Sequence, residues 1–345
     1  MRAYRFSAGE PLAGVPGAAL GLRLDDAGTP APGPGELFLR LEASALNFVD
    51  LLMMSGMLPG AVGLVPLLDG AGRVVAVGAG VTRFAPGDRV VASPQQNWIA
   101  GPASPEQGGL VLGCMVDGTL RDHALFPEGA LVAVPEGVSI EAAASLPCAG
   151  LSAWNTLFGS AARPTLPGET LLVLGTGGVS MFAVQFAVAC GVRVIATTST
   201  AAKAERLRAM GADAVIDYVE TPHWAPEVLR LTGGRGVDAV CEVGGAATLP
   251  QSLQAVRVGG KIALIGIVGG PAAFDYNVMM LVSQKVLTIF GNGMGSAADL
   301  AAMLRFVAMK GIEPVIDRRF AFDEAPAAYA HFAARAHVGK VIIAN

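Results

Sequence analysis

Three glycines, Gly175, Gly177 and Gly178, follow the apolar run Thr170-Leu171-Leu172-Val173-Leu174 and lead into a helical pattern over 179–190. A glycine at 175 permits a sharp strand-to-helix turn, and one at 177 lets a pyrophosphate approach bare backbone. The helix start then aims unpaired amides and a partial positive charge at that phosphate. Thr176, Gly177, Gly178 and Val179 form the candidate cradle, and a dinucleotide is its natural ligand. Ser180 stands where the third glycine of this spacing usually falls, so a plain turn before a buried helix is the competing reading.

The residues beyond the cradle bear on which dinucleotide. An NAD-selective site places Asp or Glu about 20 residues past the glycines, to bind the ribose hydroxyls. Here that place reads Ala196-Thr197-Thr198-Ser199-Thr200. No acid is present to repel a 2′-phosphate, and Lys203 follows one helical turn later, where an ammonium could meet it. NADP(H) is expected. Lys203 could instead be a solvated helix charge, and NAD(H) stays open because no arginine reinforces the site.

Such groups need a sheet to hold them. Residues 192–197, 214–218, 237–242 and 261–266 read as strands, and 201–210 as a helix closed by Gly211. Alternating strands and helices imply an α/β fold with a doubly wound parallel sheet. The texture before residue 145 differs. Leu37, Leu39 and Leu41 alternate with Phe38, Arg40 and Glu42, and the short runs 73–77 and 89–92 sit between Gly/Pro turns. This half reads as β-rich, a small barrel, with the boundary near 145–148.

A chain of 345 residues suits two domains, and 52% hydrophobic against 15% charged residues supplies ample core. A net charge of -4 without a Lys/Arg cluster argues against nucleic acid. No apolar signal segment follows Met1, and the apolar stretch 181–190 is short and carries Gln185, so no membrane association and a cytoplasmic location are expected. Cys114, Cys148, Cys190 and Cys241 are scattered without C-x-x-C spacing, which argues against a structural zinc site or a disulfide framework. His123, His223, His331 and His337 show no ligand spacing either.

Several segments together carry a resemblance. They are Ala45-Leu46-Asn47-Phe48-Val49-Asp50, Asp69-Gly70-Ala71-Gly72, Pro86-Gly87-Asp88-Arg89-Val90 and Leu146-Pro147-Cys148-Ala149-Gly150-Leu151-Ser152-Ala153-Trp154. With the cradle and the closing Val338-Gly339-Lys340-Val341-Ile342-Ile343, they resemble the medium-chain dehydrogenase/reductase superfamily nearly end to end. The chain looks most like its zinc-free quinone-oxidoreductase and alcohol-dehydrogenase-like branch. That resemblance implies a chaperonin-10-like (GroES-like) β-barrel over 1–145 and a Rossmann domain over 146–285. Residues 286–345 would then hold the last Rossmann strand and the return to the first domain, with the nicotinamide between the domains.

The resemblance also implies roles for single residues. Zinc-containing members carry an early Cys ligand, a His-Glu pair, a later Cys and a four-Cys lobe; here Asn47 and Leu68-Asp69 stand at the first two places, and only Cys148 matches. Asp50, Asp69 and Cys148 make a poor zinc set, so no metal is expected. Ser199, Lys203 and Tyr218 fall where zinc-free relatives bind the 2′-phosphate. Ser152, Val243, Gly244, Ile265, Gly266, Ile267, Asn292 and Gly293 fall on cofactor-lining positions. Asn47 is a catalytic candidate that would orient the nicotinamide or polarise a carbonyl, or else a buried amide tying two loops together. Asp50 is the second candidate, with a local helix cap as its simpler reading.

The segment 48–58, with Trp98, Met115 and Met294, suggests an apolar pocket, although a methionine stripe is more often core. The expected enzyme is an NADP(H)-preferring, zinc-independent oxidoreductase. It would move a hydride between nicotinamide and a small apolar quinone, enone, carbonyl or alcohol. A non-catalytic NADP(H)-binding relative and an atypical zinc alcohol dehydrogenase are the alternatives. A homodimer joined through residues 287–291 is expected from the resemblance and from the apolar edge those residues would otherwise expose.

Overall fold

The computed structural model describes residues 1–26, 28–58, 61–266 and 276–345. They form two compact units, Met1–Leu151 with Gly295–Asn345, and Ser152–Met294. The helix Ala149–Phe158 runs through the first crossing.

In the first unit β1 (Arg2–Ser7) and β2 (Gly21–Asp26) make an antiparallel pair. A larger sheet holds β3 (Glu36–Ala45), β4 (Asp69–Val77), β5 (Arg89–Ala92), β6 (His123–Pro127) and β7 (Leu131–Ala133). Leu37, Leu39 and Leu41 point into a core with Val74, Val90 and Phe126, as the alternation requires. Phe38 is also buried, unlike the exposed face that the alternation implies, because His123 of β6 stacks over it with ring centroids 5.2 Å apart. The glycines of the Asp69-Gly70-Ala71-Gly72 segment have steric causes. A Cβ on Gly72 would stand 1.9 Å from the Arg40 carbonyl oxygen, and one on Gly70 would stand 2.6 Å from the Thr119 side chain.

The second unit is a parallel sheet of β8 (Thr170–Leu174), β9 (Arg193–Thr198), β10 (Ala214–Asp217), β11 (Val237–Glu242), β12 (Val256–Leu264) and β13 (Thr288–Gly291). Their order is β10-β9-β8-β11-β12-β13, and every pairing is parallel. Each residue of β8 and β11 is buried, since a central parallel strand is covered on both faces. The helix Gly178–Ala189 buries Met181, Phe182, Val184 and Phe186, which explains its nearly uniform apolar sequence. The direction of winding reverses between β8 and β11. Ligands of open parallel sheets bind at such a switch point, beyond the carboxyl ends of the strands.

One strand departs from its sequence reading. β12 begins at Val256 rather than at Lys261, because its pairing with β11 starts at Val237↔Val256 and resumes at Ala239↔Lys261 across an irregularity. Gly259, in the left-handed region at φ 69°, lies inside this strand. The chain then returns to the first unit as β14 (Ile316–Ala321) and β15 (Lys340–Ala344). These complete the sheet β14-β15-β3-β4-β5-β7, with β6 also on β3. The result is the GroES-like barrel domain with a Rossmann domain set into the chain. No helix among the described residues is long and apolar enough to cross a membrane.

Candidate functional site

The glycine turn sits at the carboxyl end of β8. Gly175 has φ 71° and its amide donates to the Thr197 carbonyl at 2.9 Å, which fastens the turn to β9. Gly177 is the extended residue before the helix, and the Met181 amide closes the first turn on its carbonyl at 3.0 Å. The amides at the start of the helix therefore lie outside its internal ladder. Ser180 fits the place of a third glycine because its hydroxyl turns inward and donates to the Leu174 carbonyl at 2.7 Å.

Ser199 follows the end of β9, and Thr200 caps the helix Ala201–Ala209 by accepting from the Lys203 amide. Lys203 stands half-buried in the first turn of that helix. Tyr218, 42% exposed, follows β10, and its amide donates to the Thr198 carbonyl at 2.9 Å. The register Asp217↔Thr198 thus sets Ser199 and Tyr218 on neighbouring strand ends. The Asp217 carboxylate is engaged with the Val219 amide at 2.9 Å.

Between these ends and β11 lies a cavity of about 360 Å³ lined by Gly175, Thr197, Tyr218, Val243, Gly244 and Thr248, among others. Sequence reading missed Trp224, Thr248 and Gln251 of its lining. No local motif marks them, since they meet the strand ends only through the packing of the helices Ala225–Leu231 and Leu249–Ala255. Gly266 must be a glycine because a Cβ there would stand 1.8 Å from the Val243 carbonyl oxygen. The Ile265 and Gly266 amides both donate to the Glu242 carbonyl, which places 265–266 beside 243–244 at the edge of the sheet. Ile267 lies outside the described residues. The Asn292 amide group donates to the Ser152 carbonyl at 2.8 Å and to the Thr156 hydroxyl at 3.1 Å, so 292–293 are fixed against the helix start.

The first unit holds a separate buried polar cluster. The Lys340 ammonium donates to the Leu46 carbonyl at 2.9 Å, Asn47 Oδ1 at 2.6 Å and Asp69 Oδ2 at 3.0 Å. Asn47 Nδ2 donates to Asp69 Oδ2 at 2.9 Å, and the Cys148 amide donates to Asp69 Oδ1 at 2.8 Å. Both ends of the Asn47 amide are therefore used inside the cluster. Asp50 accepts from the Asn47 backbone amide at 2.7 Å and caps the helix Phe48–Met54. Burial pushes its carboxyl up to about 8, helped by the Asp69 charge and opposed by Lys340. Burial likewise pushes the Cys148 thiol up, with Asp69 adding to the effect. Met53 and Met54 are core, whereas Met57 and Met115 are 69% and 61% exposed.

Comparison with known proteins identifies this arrangement. Residues 33–136 match the family described as alcohol dehydrogenase GroES-like domain, and residues 178–309 match that described as zinc-binding dehydrogenase. A zinc-type alcohol dehydrogenase-like protein of Schizosaccharomyces pombe is 39% identical, with 90% of this chain and 91% of that protein covered. The quinone oxidoreductase of Pseudomonas aeruginosa is 34% identical over 90% of this chain and 92% of its own. The chain belongs to the medium-chain dehydrogenase/reductase superfamily. It is an oxidoreductase. Among solved structures, an NAD-dependent alcohol dehydrogenase superimposes with TM-score 0.86 at 33% identity, covering all of both chains. A mycobacterial protein complexed with NADPH does so with TM-score 0.80 at 30% identity, covering 99% of this chain and 100% of that one.

The zinc in one family description can be tested against the donors of this superfamily member. Zinc takes thiolate, imidazole and carboxylate. Here Asn47 stands beside Asp69, and an ammonium occupies the acceptors that would face an ion. Among the described residues no group of three His, Cys, Asp or Glu side chains comes together that could hold a metal. The donor set does not fit zinc.

The buried Asp50 makes a pH prediction. An unfolded Asp loses its proton near pH 4, whereas this one holds it to about 8, so the native state binds more protons between those values. Stability should fall as pH rises through that window. Asp50→Asn keeps an acceptor for the Asn47 amide and cannot ionise. Its melting temperature should gain on the parent protein from pH 5 to pH 8 by a few degrees, about 2–5 °C, as read by calorimetry at each pH. A constant difference would assign the burial no protonation cost.

Proposed function

We propose that this oxidoreductase prefers NADP(H), works without zinc, and transfers a hydride between nicotinamide and an apolar quinone, enone, carbonyl or alcohol. The observation that carries the reading is the cavity at the switch point, with the glycine turn on one side and the ends of β9 and β10 on the other. Amides of Thr176, Gly177, Gly178 and Val179 would hold the pyrophosphate. Ser199, Lys203 and Tyr218 would take the 2′-phosphate, with no carboxylate at the end of β9 to oppose it. The bound nicotinamide supplies the hydride, and the protein supplies position and polarity.

The residues of the first unit support a metal-free route. Asp69 is held by Lys340 and Asn47, and Asp50 caps a helix inside the core, which favours water or a ribose hydroxyl relay over either carboxyl as the proton source. Asn47 orients its surroundings rather than the substrate, since its amide is spent on Asp69 and Lys340. Met57 and Met115, both exposed, belong to the segments read as an apolar pocket and would suit an apolar substrate.

The edge of the parallel sheet favours a second copy of the chain as partner. β13 has β12 as its sheet neighbour, and Val286, two residues before it, is 71% exposed. An apolar edge of this kind invites pairing, and β13 of two copies across a two-fold axis would cover it.

Calorimetric titration with NADPH and NADH tests the cofactor assignment. NADPH should bind more tightly, and Lys203→Ala should weaken it by about tenfold while leaving NADH unchanged; equal affinities would overturn the preference. Turnover of a quinone, an enone and an aldehyde should survive chelator treatment and go with substoichiometric metal in elemental analysis. Activity restored only by added zinc would sink the metal-free reading. Sedimentation should return a dimer, and a monomer at assay concentration would remove the edge pairing.

A further inference from the structure

The wall of the cavity formed by residues 243–248 is held by a buried carboxylate. Glu242, at the end of β11, is fully buried. Its Oε1 accepts the Gly244 amide at 2.8 Å, the Gly245 amide at 3.0 Å and the Thr248 hydroxyl at 2.5 Å. Its Oε2 accepts the Ser252 hydroxyl at 2.5 Å. Gln251, on the same helix as Ser252, accepts the Ala225 amide at 3.1 Å and donates to the Pro222 carbonyl at 2.8 Å. The two side chains thus tie the turn, the helix Leu249–Ala255 and the opposite wall at Pro222 and Trp224 into one frame.

The frame settles where one proton goes. An oxygen that accepts two N–H bonds has no proton to give, so between Glu242 Oε1 and Thr248 the hydroxyl must be the donor. The Gly245 carbonyl, 3.5 Å from the same hydroxyl, is too distant to compete. Thr248 lines the cavity with its proton committed to Glu242, so towards a ligand it can only accept. Gln251 commits its oxygen to the Ala225 amide and one of its two N–H groups to the Pro222 carbonyl.

Resting on the dinucleotide reading above, we infer that Thr248 reads the base of the cofactor as adenine by accepting a hydrogen bond from its exocyclic amine. Glu242 is the positioning residue that keeps the hydroxyl in that role. Adenine offers an N–H₂ donor at position 6. Hypoxanthine has a carbonyl there, and two acceptors facing each other repel. A site built to pair a polar group discriminates against the analogue that lacks it.

The test titrates the full-length protein with NADPH and with its hypoxanthine analogue. The parent protein should favour NADPH by about tenfold, the worth of one good hydrogen bond. Thr248→Val should bring the ratio close to one, and Thr248→Ser should restore it. Glu242→Gln should keep the ratio, because its oxygen must stay on the Gly244 and Gly245 amides and the Thr248 hydroxyl while its amide nitrogen faces Ser252, whereas Glu242→Leu should shrink it, because the hydroxyl proton is then free to turn to the ligand. Equal binding of the two dinucleotides to the parent protein, or a ratio that survives Thr248→Val, would overturn the inference alone. Binding of neither would bring down the dinucleotide reading and this inference with it. The ratio is read within each variant, so a general loosening of the fold does not move it.

Discussion

A charge taken out of water must find its opposite inside the protein, and in the first unit Lys340 and Asp69 meet that requirement across 271 positions of chain. Their side chains are 2% and 0% exposed. Leaving either alone in that environment would cost about 3–5 kcal/mol, so the pair joins β15, the last strand, to the start of β4. Asn47 and the Cys148 amide complete the acceptors and donors around it. The cluster thereby collects four of the segments that carry the resemblance to the superfamily, and gives them a shared physical reason.

The second unit obeys a comparable rule at its strand ends. Parallel strands stop together at one edge, and the polar backbone freed there must be bound by something. Gly175 uses β9, Ile265 and Gly266 use the Glu242 carbonyl, and Gly244 and Gly245 use its carboxylate. What remains at that edge is the amides of the helix start and the accepting side of the Thr248 hydroxyl, which are groups suited to phosphate and to a base. On the proposed reading, the binding surface is what the sheet leaves over after satisfying itself.

One matching family is described as zinc-binding, and the first unit shows what side chains this chain sets at its polar centre. The scaffold around the first-unit cluster keeps its strands and turns, because these answer to steric limits such as the bare backbone at Gly70 and Gly72. The side chains at its centre answer to chemistry instead. Asn47 and Lys340 there make a neutral donor and an internal cation, a combination that favours hydrogen bonding over metal coordination.

The sequence by itself determined the glycine turn after β8, the parallel sheet and the β-rich domain, since glycine spacing and runs of β-branched residues act over a few positions and survive without knowledge of the rest. The local cap at Asp50 and the absence of an acid after β9 were legible for the same reason. Only the tertiary structure decided that Lys340 belongs with Asp69, that β12 runs through its glycine pair, and that Glu242 commits the proton of Thr248. Those relations depend on which surfaces pack together. Burial and the direction of a hydrogen bond are properties of the folded chain, and no local pattern of residue types encodes them.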